Sequence, residues 1–274
     1  MMILSAVRST MMPPSTYIRK KVLITGGATG IGLTMAEIYA KLGAKVLICS
    51  RNENRLKEAS EKHDNISYKV LDVRDLTGVS AMADELTEKK ALPDIVINNA
   101  AGNFICPTEK LSQNAWNSVI DIVLKGTFAV THEIGKRLIS ENRPGVFLNI
   151  STTYAETGSS YVVPSSLAKA ACNNMTKSLA SEWAKYNMRF NSVALGPIYT
   201  EGAFSRLDPD GTFRQQGINN LCIKRMGEKE EVANLVTYLT SDYASWITGN
   251  VINLDGGETV WKSGEFNHVN LSKM

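Results

Sequence analysis

Between Thr152 and Ala171 the chain reads TTYAETGSSYVVPSSLAKAA, and it gathers several side chains able to manage a proton or a developing oxyanion. Tyr154 and Tyr161 supply phenols, Ser165 a hydroxyl and Lys169 an ammonium. Ser165 precedes Lys169 by four residues, so on a helix the two share a face. A fixed cation lowers the pKa of a nearby phenol. Such a set suits donation to, or charge stabilisation on, a substrate oxygen. Spacing alone leaves open which hydroxyl does it.

A second group of residues suits phosphate. LITGGATGIG sets Gly26, Gly27, Gly30 and Gly32, with Thr29 and Ile31 between them, directly after an apolar run and at the head of a helical one. Glycines there allow positive φ and close backbone approach. A helix N-terminus then offers N–H groups and a dipole to a pyrophosphate. The plain alternative is a strand–helix turn. About 20 residues on, a dinucleotide fold selects its cofactor, with an acid for the ribose hydroxyls of NAD. Here the residues are Ser50 and Arg51. Arginine cannot accept from a hydroxyl but matches a 2′-phosphate with forked donors. The expected cofactor is NADPH; the alternative for Arg51 is a solvated strand end.

These residues need a scaffold, and the rest of the chain supplies one. Short apolar runs recur: VLIT from Val22, KVLICS from Lys45, ISYKVLD from Ile66, DIVINNA from Asp94, GVFLNIS from Gly145, MRFNSVAL from Met188 and GNVINLDGG from Gly249. Continuous rather than alternating apolarity predicts strands buried on both faces, hence a parallel sheet. Segments of helical period lie between them. Repeated strand–helix–strand units predict a single α/β domain: a Rossmann-like, doubly wound parallel sheet of about seven strands with helices on both faces. The irregular stretch 198–226 is expected to cover the carboxyl edge of the sheet, where ligands bind in such folds.

Composition narrows the class. The 274 residues are 43% hydrophobic and 21% charged, with a net charge of +3, ordinary for a globular chain and too weakly basic to argue for nucleic acid. No apolar run reaches the roughly 20 residues of a membrane span. Cys49, Cys106, Cys172 and Cys222 are far apart, without metal spacing, and are expected to be reduced and mostly buried. No metal site is expected. Residues 1–20 contain no acid and read either as a tail or as an organelle-targeting segment. Residues 21–260 form the nucleotide-binding domain and 261–274 a second tail. That tail ends in Ser272-Lys273-Met274, close to a peroxisomal address.

The spacing TGxxxGxG, NNAAG after the fourth apolar run, and Lys169 together resemble the short-chain dehydrogenases/reductases from about Lys21 to Gly257. The resemblance implies Asp72 against the adenine and the backbone of Leu195, Gly196, Pro197 and Ile198 against the nicotinamide end. It also exposes departures. Ser165 stands where the family has its tyrosine, Val123 where it has an asparagine, and Thr152 where it has a serine.

One branch departs in the same way. INNAAGNFICPTE, the Thr152–Ala171 stretch, GAFSRLDPDGTF and SDYASWITGNVINLDGGE are similar to the 2,4-dienoyl-CoA reductases of mitochondrial type. The resemblance implies that Tyr154, 15 residues before Lys169, is the relocated tyrosine. Asn103 then replaces the helix asparagine, and Ser165 is a polar neighbour. Lys169 would hold the nicotinamide ribose as well as tune the phenol. Arg74, Phe104, Ser112 and Arg206 match positions used for the acyl-CoA substrate; ion pairs with Asp75 and Asp208 are the alternative for the two arginines. The implied reaction is NADPH-dependent reduction of 2,4-dienoyl-CoA to 3-enoyl-CoA in fatty acid β-oxidation, by a homotetramer in the mitochondrial matrix or, from its last residues, the peroxisome. Two other readings stand beside it: a 3-oxoacyl or other carbonyl reductase using Tyr161, and an inactive NADP-binding or scaffold protein.

Overall fold

The computed structural model describes residues 10–200 and 217–261; Arg206, Asp208 and the Ser272-Lys273-Met274 ending lie outside them. Strands β1 (Lys21–Thr25), β2 (Lys45–Ser50), β3 (Ile66–Val70), β4 (Ile95–Asn98), β5 (Gly145–Thr152), β6 (Met188–Leu195) and β7 (Val251–Leu254) form one sheet. All neighbouring pairs are parallel. Their order is β3-β2-β1-β4-β5-β6-β7. The order reverses between β1 and β4, so the crevice beyond their carboxyl ends is where this architecture binds ligands.

Helices separate the strands: α1 (Gly30–Lys41), α2 (Glu53–Ser60), α3 (Leu76–Glu88), α4 (Gln113–Ile120), α5 (Gly126–Ser140), the short α6 (Tyr154–Thr157), α7 (Val163–Glu182), α8 (Lys229–Thr240) and the short α9 (Glu258–Trp261). They pack on both sheet faces. One core cluster holds Met35 and Tyr39 of α1 and Val232 and Val236 of α8 against Ile24, Ile48 and Val193. The other holds Val79 and Met82 of α3 and Ile134 of α5 against Leu23, Val96 and Phe147. Two-sided cover explains why β4 is buried at every residue. Edge strands β3 and β7 lose this cover and are only partly buried.

Two expectations change. Residues 10–20 are not a free tail: Tyr17 is buried, donates to the Thr237 carbonyl and meets Thr240 Oγ1 at 2.9 Å. Its ring packs edge-on to Tyr39 at 4.9 Å between centroids, which clasps the segment to α1 and α8. Of the four cysteines, all free, only Cys49 and Cys172 are buried; Cys106 is half-buried and Cys222 exposed. Cys106 and Cys222 lie on loops at the carboxyl side of the sheet, with Cys222 Sγ donating to the Gly257 carbonyl at 3.4 Å. No described helix is long and apolar enough to cross a membrane.

Candidate active site

The crevice past β1 and β4 encloses about 310 Å³ and is lined by Gly26, Gly32, Ser50, Arg51 and Asp72 among others. Thr29 and Ile31 also reach it. Gly26 (φ +65°) and Gly30 (φ +56°) adopt left-handed backbone, which turns the chain from β1 into α1. A Cβ on Gly32 would stand 2.3 Å from the Gly26 carbonyl oxygen, so the turn closes only with glycine there. Gly27 packs instead against Ile48, whose Cγ2 a Cβ would meet at 2.6 Å. Asn99 braces the turn, donating from Nδ2 to the Thr25 and Gly26 carbonyls at 3.0 and 3.1 Å. Thr29, the N-cap of α1, makes no side-chain capping bond, which leaves the first turn directed at the crevice.

The same crevice tests whether a phosphorylated dinucleotide fits. Ser50 Oγ is buried without a hydrogen-bond partner, and Arg51 beside it is exposed. An orphaned hydroxyl next to a guanidinium, opposite a glycine cradle, is the donor set a ribose phosphate requires. The residues present therefore fit a nicotinamide dinucleotide.

Asp72 and Arg74 hold each other. Arg74 Nε donates to both carboxylate oxygens of Asp72, at 3.0 and 2.9 Å. Those hydrogen bonds keep the Asp72 carboxyl below the usual carboxylate range. The ion-pair partner of Arg74 is thus Asp72 rather than Asp75. Asp75 is occupied as the N-cap of α3, accepting from Gly78 N. Leu195, Gly196, Pro197 and Ile198 leave β6 at the carboxyl edge. Gly196 N donates to the Leu254 carbonyl and Thr153 N to that of Leu195. Pro197 and Ile198 line a smaller cavity of about 80 Å³ with Arg225 and Asp255, not the main crevice.

At the carboxyl end of β5 the structure brings three of the singled-out side chains into one chain. Asn103 Nδ2 lies 3.3 Å from Tyr154 Oη, and Tyr154 Oη lies 3.1 Å from Ser165 Oγ. Asn103 sits on the loop after β4, Tyr154 opens α6, and Ser165 lies in the first turn of α7. Ser166 Oγ donates to the Tyr154 carbonyl at 2.8 Å, fastening α6 to α7. Lys169, one turn on from Ser165, is buried and donates to the Ile150 carbonyl. Burial lowers its pKa. Tyr161 faces away: its side chain is largely exposed, and its carbonyl accepts from Cys106 N.

The vacated positions are filled with apolar or silent groups. Val123 is buried inside a π-helical turn, Asp121–Lys125, and its carbonyl receives Cys172 Sγ at 3.4 Å. Thr152 Oγ1 is buried without a hydrogen-bond partner. Phe104 packs on the small cluster of Val119, Val123, Ala168 and Cys172, so it roofs this region. Ser112 is exposed and serves as the N-cap of α4, accepting from Ala115 N at 3.2 Å. Its fold role accounts for a polar residue there.

Two features escape sequence reading. Asn98 donates to Thr131 and Asn149, Asn149 to Thr176, and Thr176 meets Ser192, all within 2.7–2.9 Å. This buried ladder runs across β4, β5 and β6 below the site. Its one visible signal is a polar residue inside otherwise apolar strands. Glu258 accepts from Thr153 Oγ1 at 2.9 Å, joining the start of α9 to the residue before Tyr154 across 105 positions.

Comparison with known proteins agrees with this fold. Residues 26–259 match the family described as enoyl-(acyl carrier protein) reductase. An uncharacterized oxidoreductase of Caenorhabditis elegans is 45% identical, covering 92% of this chain and 83% of that one. A second protein of the same organism, named as a probable (3E)-enoyl-CoA-producing 2,4-dienoyl-CoA reductase, is 41% identical over 95% of this chain and 85% of its own. The crystal structure of a short-chain dehydrogenase from Bacillus anthracis superposes with a TM-score of 0.80 at 42% identity, covering 88% of this chain and 96% of that one. With its seven-stranded parallel sheet, its glycine turn and these relatives, the chain belongs to the short-chain dehydrogenase/reductase family of nicotinamide-dependent oxidoreductases.

Proposed function

We infer that this oxidoreductase reduces 2,4-dienoyl-CoA to 3-enoyl-CoA with NADPH. The observation that carries this reading is the Asn103–Tyr154–Ser165 chain, with serine rather than tyrosine four residues before Lys169. A carbonyl reductase needs its proton donor at the carbonyl oxygen, directly bonded to the carbon that receives hydride. A dienoyl thioester receives hydride at the far end of its conjugated system, several bonds from its oxygen. In the 3-enoyl product the new hydrogens sit on C5 and C2, and the double bond lies between C3 and C4. The negative charge passes meanwhile to the thioester oxygen, displaced from the hydride site. Tyr154 and Asn103 are suited to hold that dienolate oxygen until C2 takes a proton from solvent water.

The nicotinamide cofactor, when bound, supplies the hydride. Gly26, Gly30 and Gly32 would bear its pyrophosphate, Ser50 and Arg51 the 2′-phosphate, and Lys169 the ribose. Asp72 and Arg74, locked together, would sit between the adenine and the CoA phosphates, with Phe104 above the acyl thioester; Arg206 and Ser112 remain assigned to the substrate by resemblance alone. The homologues' names support acyl-CoA as substrate. A mitochondrial matrix or peroxisomal location, β-oxidation and a homotetramer are part of the same proposal, resting on the family resemblance.

The test is an absorbance assay of cofactor oxidation with hexadienoyl-CoA and, separately, acetoacetyl-CoA. Hexadienoyl-CoA should be consumed, with NADPH favoured over NADH by at least about tenfold, a factor one charge-assisted contact supplies. Turnover of acetoacetyl-CoA alone would identify a carbonyl reductase, and turnover of neither an inactive binding protein.

A further inference from the structure

Six non-glycine residues adopt left-handed backbone among the described residues: Ser15, Arg19, Lys90, Asn142, Asn187 and Tyr161. Lys90, Asn142 and Asn187 follow helix ends, where such a residue closes the last turn. Tyr161 (φ +65°) does not. It lies between α6, which carries Tyr154, and α7, which carries Ser165 and Lys169. Aromatic residues rarely hold this conformation without a compensating contact. Packing of the ring does not require it, because 57% of the residue is exposed.

The compensating contact is in the backbone. The Tyr161 carbonyl accepts from Cys106 N at 2.9 Å. Cys106 is three residues beyond Asn103 on the loop after β4. That loop holds Asn103, and the α6–α7 connection continues directly from the helix that carries Tyr154; the two side chains stand 3.3 Å apart. Within its own loop, Asn103 Oδ1 accepts from Phe104 N at 2.9 Å, which leaves Nδ2 facing Tyr154. Val162, the next residue after Tyr161, is buried and pins the other side of the connection. The Tyr161–Cys106 hydrogen bond therefore sets how far the Asn103 loop stands from α6.

We propose that Tyr161 is a positioning residue, acting through its left-handed backbone rather than its phenol: it aims its carbonyl at Cys106 N–H and so holds Asn103 in register with Tyr154. This rests on the reading that Asn103 and Tyr154 are the two donors to the substrate oxygen. It also gives the second tyrosine of the loop a function that does not need its hydroxyl.

The experiment ranks substitutions by their tolerance of the left-handed region. Tyr161→Phe keeps the carbonyl and the same backbone preference as tyrosine, and Tyr161→Asn and Tyr161→Gly accept the conformation more readily, so hexadienoyl-CoA turnover should stay within about threefold of the unsubstituted protein. Tyr161→Val, β-branched, should lose about tenfold or more in kcat, as misplaced donors do, with NADPH affinity unchanged. In an Asn103→Ala background, Tyr161→Val should cost almost nothing further, because the group it positions is gone. Should the valine variant fold poorly by thermal melt, Tyr161→Thr, also β-branched, replaces it, with a kcat loss of the same kind and the same disappearance in the Asn103→Ala background. Full activity of the valine and threonine variants would overturn the proposal. So would equal damage from Tyr161→Phe, which would assign the role to the phenol, or a valine effect undiminished by Asn103→Ala. Absence of dienoyl-CoA turnover by the unsubstituted protein would overturn the donor reading, and this proposal with it.

Discussion

In the proposed reaction, Tyr154 is the residue on which the chemistry would turn. Its hydroxyl has two neighbours, Asn103 at 3.3 Å and Ser165 at 3.1 Å, and its main chain is fastened separately through Ser166. Tyr154→Phe removes only the hydroxyl, so the fold and NADPH binding should persist. Turnover of hexadienoyl-CoA should fall by about a hundredfold or more, the usual consequence of deleting one preorganised oxyanion donor. Steady-state kinetics beside a separate NADPH titration separate the two effects; near-normal kcat in this variant would remove Tyr154 from the mechanism. At this scale the sequence was partly legible. Ser165 and Lys169 share a helical face by simple spacing, and Ser50-Arg51 follow a recognisable strand. The Asn103–Tyr154 contact joins positions 51 residues apart, and no local pattern encodes such a distance. Resemblance supplied that pairing.

Helices α3 and α5 illustrate how one carboxylate fastens an element. Glu133 on α5 accepts from Lys136 at 2.8 Å, from Arg137 at 2.6 Å and from Ser80 of α3 at 3.1 Å. Arg137 also pairs with Asp84 of α3. Burial alone would raise the Glu133 carboxyl, but these donors outweigh it and hold the group down to about 2. A carboxyl depressed in the folded state stabilises above its unfolded pKa and loses that contribution as the pH falls through the folded value. Glu133→Gln should therefore cost about 1–3 kcal/mol at pH 7 and roughly half of that or less at pH 3, because the remainder of the contribution is lost only as the pH falls on through about 2. Urea melts at the two pH values would measure it, and an equal loss at both would show that charge is not what matters. Strand and helix order were readable from apolar runs because two-sided burial of a parallel sheet leaves a strong signal. The π-helical turn at Asp121–Lys125 was not readable, since no residue type marks it.

The whole molecule is a sheet whose two halves meet at one seam. β1 pairs with β2 on one side and with β4 on the other. The ligand crevice opens above that second junction. Contacts across it are distant in sequence: Asn99 N reaches Thr25 Oγ1 over 74 positions. Segment 10–20 adds another such tie, since Tyr17 meets Thr240 over 223 positions. Composition could suggest neither closure, and an acid-free leader reads as a tail until Tyr17 is seen inside the core.

That seam also governs how the chain comes to exist. Pairing two strands so far apart demands a large loop closure before any contact offsets its entropy, so parallel folds of this kind assemble slowly. During synthesis β1, β2 and β3 can associate while β4 is still unmade, but the dinucleotide crevice has only one wall until β4 arrives. The cofactor site is then expected to be completed late, on the native side of the folding barrier. NADPH added to a refolding reaction should leave the refolding rate unchanged within about twofold and slow unfolding in proportion to its occupancy. Stopped-flow chevrons with and without NADPH would reveal the difference, and an accelerated refolding arm would mean the crevice forms early. Inside a cell, the same order of events would make the newly made chain vulnerable to proteases until it meets its first cofactor.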